Sequence, residues 1–264
     1  MKDTLIITIT RNNNELFEIY LNKLYKNTKN FFLTVIDNQS AGKEKEEIEQ
    51  MQKEYGFKLM RNETMFSFAQ NNNMAFDKYF SDNGKADYVV FLNDDTEPQI
   101  GWLDAMIECA ERNKIALVGA KMYFPNNLIQ HAGVAFHENR MPGHIWWGQI
   151  HKDDDRINSE REFQAVTAGC MLVTSTVFGE LGRFDEHYKV AGYEDIDFCL
   201  RAKEQGYQIF YTPKAELIHR ESTTQNMFKP EFRQVYYKQN TEYFMRKWYD
   251  KIEPDYSKYE PGVD

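Results

Sequence analysis

Short β-branched runs alternate with amphipathic stretches through the first third of the chain, and this alternation constrains its fold more than any other feature. Residues 5–10 (Leu-Ile-Ile-Thr-Ile-Thr) and 31–36 (Phe-Phe-Leu-Thr-Val-Ile) are apolar and too short for stable helices, so each reads as a buried strand. Between them, residues 15–25 carry Leu16, Ile19, Tyr20 and Leu24 at helical spacing, with Asn14 as the expected N-cap. Residues 43–55 set Ile48 and Met51 on one stripe of a charged helix, and 57–60 form a short third strand. A further helix over 68–80 ends at the turn Ser81-Asp82-Asn83-Gly84. Strands and helices in this order predict the α/β class, with right-handed crossovers and a mostly parallel sheet.

The next strand, residues 88–92, runs directly into Asn93-Asp94-Asp95-Thr96-Glu97-Pro98. In open α/β sheets ligands bind beyond the carboxyl ends of strands, so Asp94 and Asp95 are expected at the mouth of a crevice. Adjacent carboxylates there suit a hard divalent cation and its phosphate, with a solvated turn as the plainer alternative. Asp37-Asn38-Gln39-Ser40 repeats the arrangement after the second strand.

A helix over 102–112 and a strand over 116–122 follow, and then periodicity is lost from 125 to 162. That stretch holds His131, His137, His144 and His151, together with Trp146, Trp147 and the acidic run 153–155. Irregular segments of such length inside a domain usually carry function, so it is expected over the mouth of the site, as a lid. Its histidines are too irregularly spaced to announce a metal site. Order returns with a small-residue strand over 165–173. Glu194 and Asp195 then open a helix that stops at Gly206, where they can serve catalysis or only complement the helix dipole. Strands over 207–211 and 215–220 bring His219 to a strand end. From Phe228 the chain is aromatic and helix-like to about Tyr249. Phe232, Val235, Tyr236 and Tyr243 there favour packing on a core over a membrane-surface helix.

Composition excludes several classes. The 264 residues, 42% hydrophobic and 28% charged, suit one main globular domain. Thirty-two basic against 41 acidic residues leave −9, a field that repels nucleic acid. Cys109, Cys170 and Cys199 are odd in number and set in apolar contexts, so neither a disulfide framework nor a zinc pattern is expected, which fits the cytoplasm. No apolar run has the length of a signal core or a membrane span. A soluble chain is expected, with peripheral association at the inner membrane face left open. No Ser/His/Asp or Cys/His constellation offers a covalent nucleophile.

Taken in chain order, Ile9-Thr10-Arg11-Asn12, Val35-Ile36-Asp37-Asn38, Phe68-Ala69 with Asn73, and Leu92-Asn93-Asp94-Asp95-Thr96 resemble the family-two nucleotide-sugar glycosyltransferases of GT-A fold. The second half resembles the bacterial O-antigen and rhamnosyltransferase type. It does so through Gln130-His131-Ala132-Gly133-Val134, Gly143-His144, Phe184-Asp185-Glu186, Glu194-Asp195-Ile196-Asp197 and Ala215-Glu216-Leu217-Ile218-His219-Arg220-Glu221-Ser222. The resemblance implies a GT-A domain over 1–225, including the lid over 125–162, and a C-terminal helical extension over 226–264.

By the same resemblance the activity is inverting transfer from a nucleotide-sugar to a glycan, lipid-linked or protein acceptor. Asp37 then reads the base imide, and Thr10, Arg11, Asn12, Asn73, Asn93 and Asp94 lie about the nucleotide. A carboxylate accepts the N3–H of uracil or thymine, which points to a UDP- or dTDP-sugar. Asp95 and His219 are the implied ligands of a divalent cation, manganese or magnesium. Asn93 departs from the family's strict DxD form, and Arg220 stands where relatives carry a second histidine. Asp195 is the implied base and Glu194 a sugar or acceptor contact, with the reverse assignment open. His131, His144, Trp146, Trp147 and Arg220 fall on the acceptor and sugar side. Two other readings compete. A catalytically silent nucleotide-sugar-binding scaffold shares the fold, and a nucleotidyltransferase would want a basic loop after the first strand, where only Arg11 stands.

Overall fold

The computed structural model describes residues 2–82, 84–112, 115–220 and 230–260, with side chains from 234 in the last segment. In chain order β1 (Thr4–Thr10), α1 (Asn14–Asn27), β2 (Phe31–Asp37), α2 (Lys43–Tyr55), β3 (Lys58–Arg61), α3 (Phe68–Ser81) and β4 (Tyr88–Leu92) realise the expected alternation. β4, β1, β2 and β3 lie side by side and parallel. Because β2 and β3 extend to one side of β1 while β4 pairs on the other, the strand order reverses between β1 and β4. Ligand crevices form at such a switch point.

β5 (Thr96–Pro98), α4 (Trp102–Ala110) and β6 (Ile115–Tyr123) come next, followed by the short β7 (Ile129–His131), β8 (Val134–Phe136), β9 (Pro142–His144) and β10 (Arg161–Phe163). β11 (Cys170–Thr174), α5 (Ser175–Glu180), α6 (Glu194–Glu204), β12 (Gln208–His219) and α7 (Pro230–Trp248) complete the regular structure of the described residues, apart from a helical turn at Tyr256–Lys258. β11 inserts antiparallel between β4 and β6, and β6 pairs in parallel with β12. The two strands expected over 207–211 and 215–220 are one strand. Its register shifts between Thr212 and Glu216, and Pro213, which has no N–H for a ladder, lies within that shift.

Residue alternation divides the core between the two faces of the sheet. Ile6, Val90, Leu92 and Leu172 face Phe17 and Leu21 of α1 and Trp102 and Met106 of α4. Leu5, Val89, Phe91 and Val173 face Phe76 of α3, Phe178 of α5, Phe198 of α6 and Phe244 and Trp248 of α7. The period of two in a strand buried on both sides produces this division, and it sets which helices flank which end of the sheet. Asn14 is the first residue of α1 rather than its cap: its Nδ2 donates to the Glu44 carbonyl and to Glu47, tying α1 to α2.

Residues 125–162 carry an apolar cluster of their own. Ile129, Ala135, Ile145, Ile150 and Ile157 pack with Tyr211 of β12 and Tyr256 near the C-terminus. Phe136 and Asp255 exchange two hydrogen bonds, N–H to Oδ1 at 2.8 Å and N–H to carbonyl at 2.9 Å. The buried Glu260 carboxylate accepts from the Trp146 amide, Gln149 and Tyr256. Gly143 serves close packing rather than mobility, since a Cβ there would come within 2.8 Å of both His137 and Tyr256.

The C-terminal extension is bound to the domain through Asp197 of α6. This fully buried carboxylate accepts from Trp248 Nε1 (2.7 Å), Tyr188 (3.2 Å) and Arg201 (2.8 Å), and pairs with Lys247 (2.7 Å). Packing, expected for the whole aromatic helix, describes its second half: Phe244 and Trp248 are buried, whereas Val235 and Tyr237 are exposed. Phe228, Glu221 and Ser222 lie outside the described residues, and nothing of the Phe232 side chain is described. No helix among the described residues is long and apolar enough to cross a membrane.

Candidate functional site

A cavity of about 520 Å³ opens at the carboxyl ends of β1 and β4, in the size range of small-molecule sites. Asn93, Asp94 and Asp95 follow β4 into it, Gly169 and Thr167 border it from the approach to β11, and Glu194 and Asp195 enter from the first turn of α6. Arg11, Asn38, His144, Trp147 and His219 complete much of its polar and aromatic wall. Residues more than a hundred positions apart therefore meet at one point.

Asp95 and His219 are in contact, Oδ1 to Nε2 at 2.9 Å, both nearly buried. The other ring nitrogen, Nδ1, hydrogen-bonds Gln130 Oε1, which orients the ring so that Nε2 faces Asp95. Asn93 Nδ2 lies 3.4 Å from the same Nε2. No cluster of three or more His, Cys, Asp or Glu ligands occurs among the described residues. An oxygen and a nitrogen donor at this separation nonetheless fit a cation that takes the rest of its shell from phosphate oxygens and water, as manganese and magnesium do. Asp94 is buried behind them, accepting from Asn13 Nδ2 at 3.3 Å. Burial first, and the neighbouring Asp95 charge second, push its carboxyl up to about 7.

The second pair has two different surroundings. Asp195 Oδ2 accepts from the Thr167 hydroxyl (3.0 Å) and the Ala168 amide (2.9 Å), and Oδ1 from the Ile196 amide (2.8 Å). Burial raises its pKa, and these three hydrogen bonds oppose the rise by favouring the ionised form. Glu194 is buried with its Oε2 unpartnered. Burial, reinforced by the Asp195 charge, pushes Glu194 up to about 8. Three donors thus favour the ionised form of Asp195, whereas burial and the Asp195 charge favour the protonated form of Glu194.

Other expected site residues lie apart from the cavity wall. Asn73 spends its amide on the Phe184 N–H and carbonyl and on Glu186, joining α3 to the loop after α5. Thr10 and Asp37 are buried at the ends of β1 and β2. Asp37 accepts from Arg61 Nε and the Ser40 amide, both at 2.8 Å, while its neighbour Asn38 reaches the cavity. Asn12, in the left-handed region at φ 45°, uses its amide N–H and side-chain carbonyl to hold Ser40 and Ala41. His131 Nδ1 meets His144 Nδ1 at 2.9 Å, and only His144 borders the cavity. Burial lowers both, His144 to about 4, so the pair is neutral at pH 7. The Trp146 indole lies under the Arg156 guanidinium at 4.3 Å, while Trp147 lines the cavity. Arg220 is paired with the buried Glu97 at 2.6 Å.

Sequence reasoning passed over Asn13, Thr167 and Arg61, and quoted Gln130 only as part of a motif without its role beside His219. Only Arg61 had a readable signal, because β3 continued by one residue sets it beside Asp37 in the parallel register.

A family model described as Glycosyl transferase family 2 matches residues 5–181. The uncharacterized protein y4gI of Sinorhizobium fredii is 29% identical over 86% of this chain, which spans 25% of that protein. The O-antigen biosynthesis protein RfbC of Myxococcus xanthus is 32% identical over 58% of the chain and 12% of its own length. The N-acetylglucosaminyl-diphospho-decaprenol L-rhamnosyltransferase of Mycobacterium tuberculosis is 26% identical over 50% of the chain and 47% of its own. The chain thus spans less than half the length of each of these relatives. Among solved structures, GalNAc-T7 with UDP, GalNAc and Mn2+ superposes with a TM-score of 0.67 at 14% identity, covering 83% of this chain and 44% of that one. The mannosyltransferase PcManGT of Pyrobaculum calidifontis, in complex with GDP-Man and Mn2+, gives 0.66 at 12% identity, covering 97% and 68%. These likenesses carry the fold, a GT-A architecture, and the family match carries the rest: this chain belongs to glycosyl transferase family 2, with relatives of the O-antigen and rhamnosyltransferase type.

Proposed function

We propose that the chain is an inverting, metal-dependent glycosyltransferase that moves a sugar from a UDP- or dTDP-linked donor to a glycan, lipid-linked or protein acceptor in surface-polysaccharide or glycoconjugate assembly. The observation that carries it is the meeting of the Asp95–His219 contact and the Glu194–Asp195 pair in one cavity at the sheet's switch point. GalNAc-T7 with UDP, GalNAc and Mn2+ and PcManGT with GDP-Man and Mn2+ support a nucleotide-linked donor and a divalent cation, without choosing the base.

In this reading Asp95 and His219 hold the cation, and Gln130 keeps the imidazole aimed. When bound, a divalent cation supplies positive charge against the diphosphate that leaves as the glycosidic bond breaks. Arg11, Asn38 and Asn93 line the cavity where the nucleotide binds, while Asp37, buried and held by Arg61 and the Ser40 amide, fixes the strand end next to Asn38. Asp195 accepts the proton of the acceptor hydroxyl as that oxygen attacks C1 from the face opposite the diphosphate, which inverts the anomeric centre. Glu194, neutral at pH 7, donates a hydrogen bond to a sugar or acceptor hydroxyl rather than competing for the proton. Segment 125–162 walls the acceptor side through His144 and Trp147.

Calorimetry of UDP and dTDP with manganese, and again with EDTA, tests the donor and metal roles together. Binding with manganese, weakened by EDTA and by Asp95→Ala without loss of melting temperature, is the expected result. Undiminished affinity in EDTA overturns the metal role, and no affinity for either nucleotide overturns the donor.

A further inference from the structure

Helix α7 leaves most of residues 234–239 uncovered while Phe244 and Trp248 further along are buried, and the uncovered part stands at the cavity. Tyr236 and Tyr237 line the same cavity as Trp147, Glu194 and Asp195. Tyr237 is 59% exposed and Trp147 51%, whereas Phe244 and Trp248 further along α7 are buried in the core. Packing explains the latter pair only.

The exposed turn is also tied to the loop that delivers the carboxylates. Asn240, almost fully buried, accepts from the Lys189 amide and donates to the Lys189 carbonyl, both at 2.9 Å, with further contacts to the Ala191 and Gly192 carbonyls. Tyr193, in the left-handed region at φ 78° and immediately before Glu194, hydrogen-bonds Tyr237 at 3.2 Å and Thr241 at 3.0 Å through its hydroxyl. The Tyr193 and Tyr237 rings lie 5.9 Å apart. The exposed Tyr237 ring is therefore held, through the buried Tyr193, at a set position relative to Glu194 and Asp195.

We infer that Tyr236 and Tyr237 of α7, with Trp147 of the 125–162 segment, form an aromatic platform for a pyranose ring of the acceptor. The assignment rests on the glycosyltransferase reading above and extends it to the acceptor's class. A pyranose offers an apolar C–H face to an aromatic ring and hydroxyls around its rim, and this cavity sets rings beside carboxylates and amides that match both. A polyprenyl chain would want a continuous aliphatic wall instead. The C-terminal helix thus serves acceptor binding as well as packing.

Saturation-transfer NMR with methyl α-L-rhamnopyranoside, methyl N-acetyl-β-D-glucosaminide and methyl β-D-galactopyranoside, in the presence of UDP and manganese, tests this directly. At least one glycoside is expected to bind through its ring protons. Tyr237→Ala and Trp147→Ala each weaken that binding roughly tenfold, the scale of a lost ring contact, and Tyr237→Phe, which keeps the ring, retains it. Melting temperatures of the variants stay close to that of the wild type, since both rings are exposed. No binding by any of the three glycosides, or binding unchanged in Tyr237→Ala, overturns the platform. UDP binding by the unaltered protein separates this failure from failure of the donor reading.

Discussion

Glu194 and Asp195 are chain neighbours that burial shifts the same way, but three donors meet Asp195 while one Glu194 oxygen has no partner, and their proposed roles follow from that difference. If Asp195 takes the acceptor proton, Asp195→Asn keeps its size and loses its basicity, so turnover falls by roughly 10²–10⁴ while nucleotide affinity holds. Glu194→Gln retains a hydrogen-bond donor and acts more on the apparent affinity for sugar or acceptor. Initial rates and nucleotide titrations on both variants check this, and near-normal turnover in Asp195→Asn moves the base to Glu194. Glu194 also has a stability signature. Its folded pKa of about 8 lies above the ordinary glutamate value, so the native state binds the extra proton, and its contribution is complete below the unfolded pKa. That contribution is lost as pH rises from the ordinary carboxylate range through about 8. Glutamine does not titrate, so the melting temperature of Glu194→Gln relative to wild type should climb across this window. A difference that stays flat with pH rules the shift out.

At the scale of elements, α6 and α7 are joined through one carboxylate. Replacing Asp197 by Ala leaves Trp248 Nε1 without its acceptor and takes one carboxylate from Arg201 and Lys247, which keep the Leu181 and Arg183 carbonyls and Asp185; losing one partner of a buried ionic cluster costs about 3–5 kcal/mol. A marked fall in melting temperature is expected, with faster amide exchange in α7 than in α1, which lies on the opposite face of the sheet. Equal exchange in both helices would mean that α7 is held by its apolar residues alone. The 125–162 segment is an element in its own right by the same measure. Its isoleucine cluster and its ties to Asp255 and Glu260 leave Trp147 exposed at the cavity while fixing the backbone around it.

Across the whole molecule, the sheet carries the site. The apolar β-branched runs of β1 and β4, the helical stripes between strands and the acidic strand end were all legible in the chain, because each is a local pattern. The positions of Asp95, His219, Glu194 and Asp195 were legible as motifs, and their meeting was implied only through the family resemblance. β11 running antiparallel between β4 and β6, the fusion of two expected strands into β12, and the burial of 125–162 depended on pairings between distant segments. Asn73 shows the difference: its type suits a ribose contact, yet its neighbours in space, Phe184 and Glu186, consume its amide. The sequence by itself determined the fold class, the strand-end carboxylates and the family, since these rest on periodicity and on motifs in order. Tertiary structure alone decided which polar side chains are consumed by the protein and which face the cavity, because a hydrogen bond or a buried charge is set by partners in space that spacing along the chain does not specify.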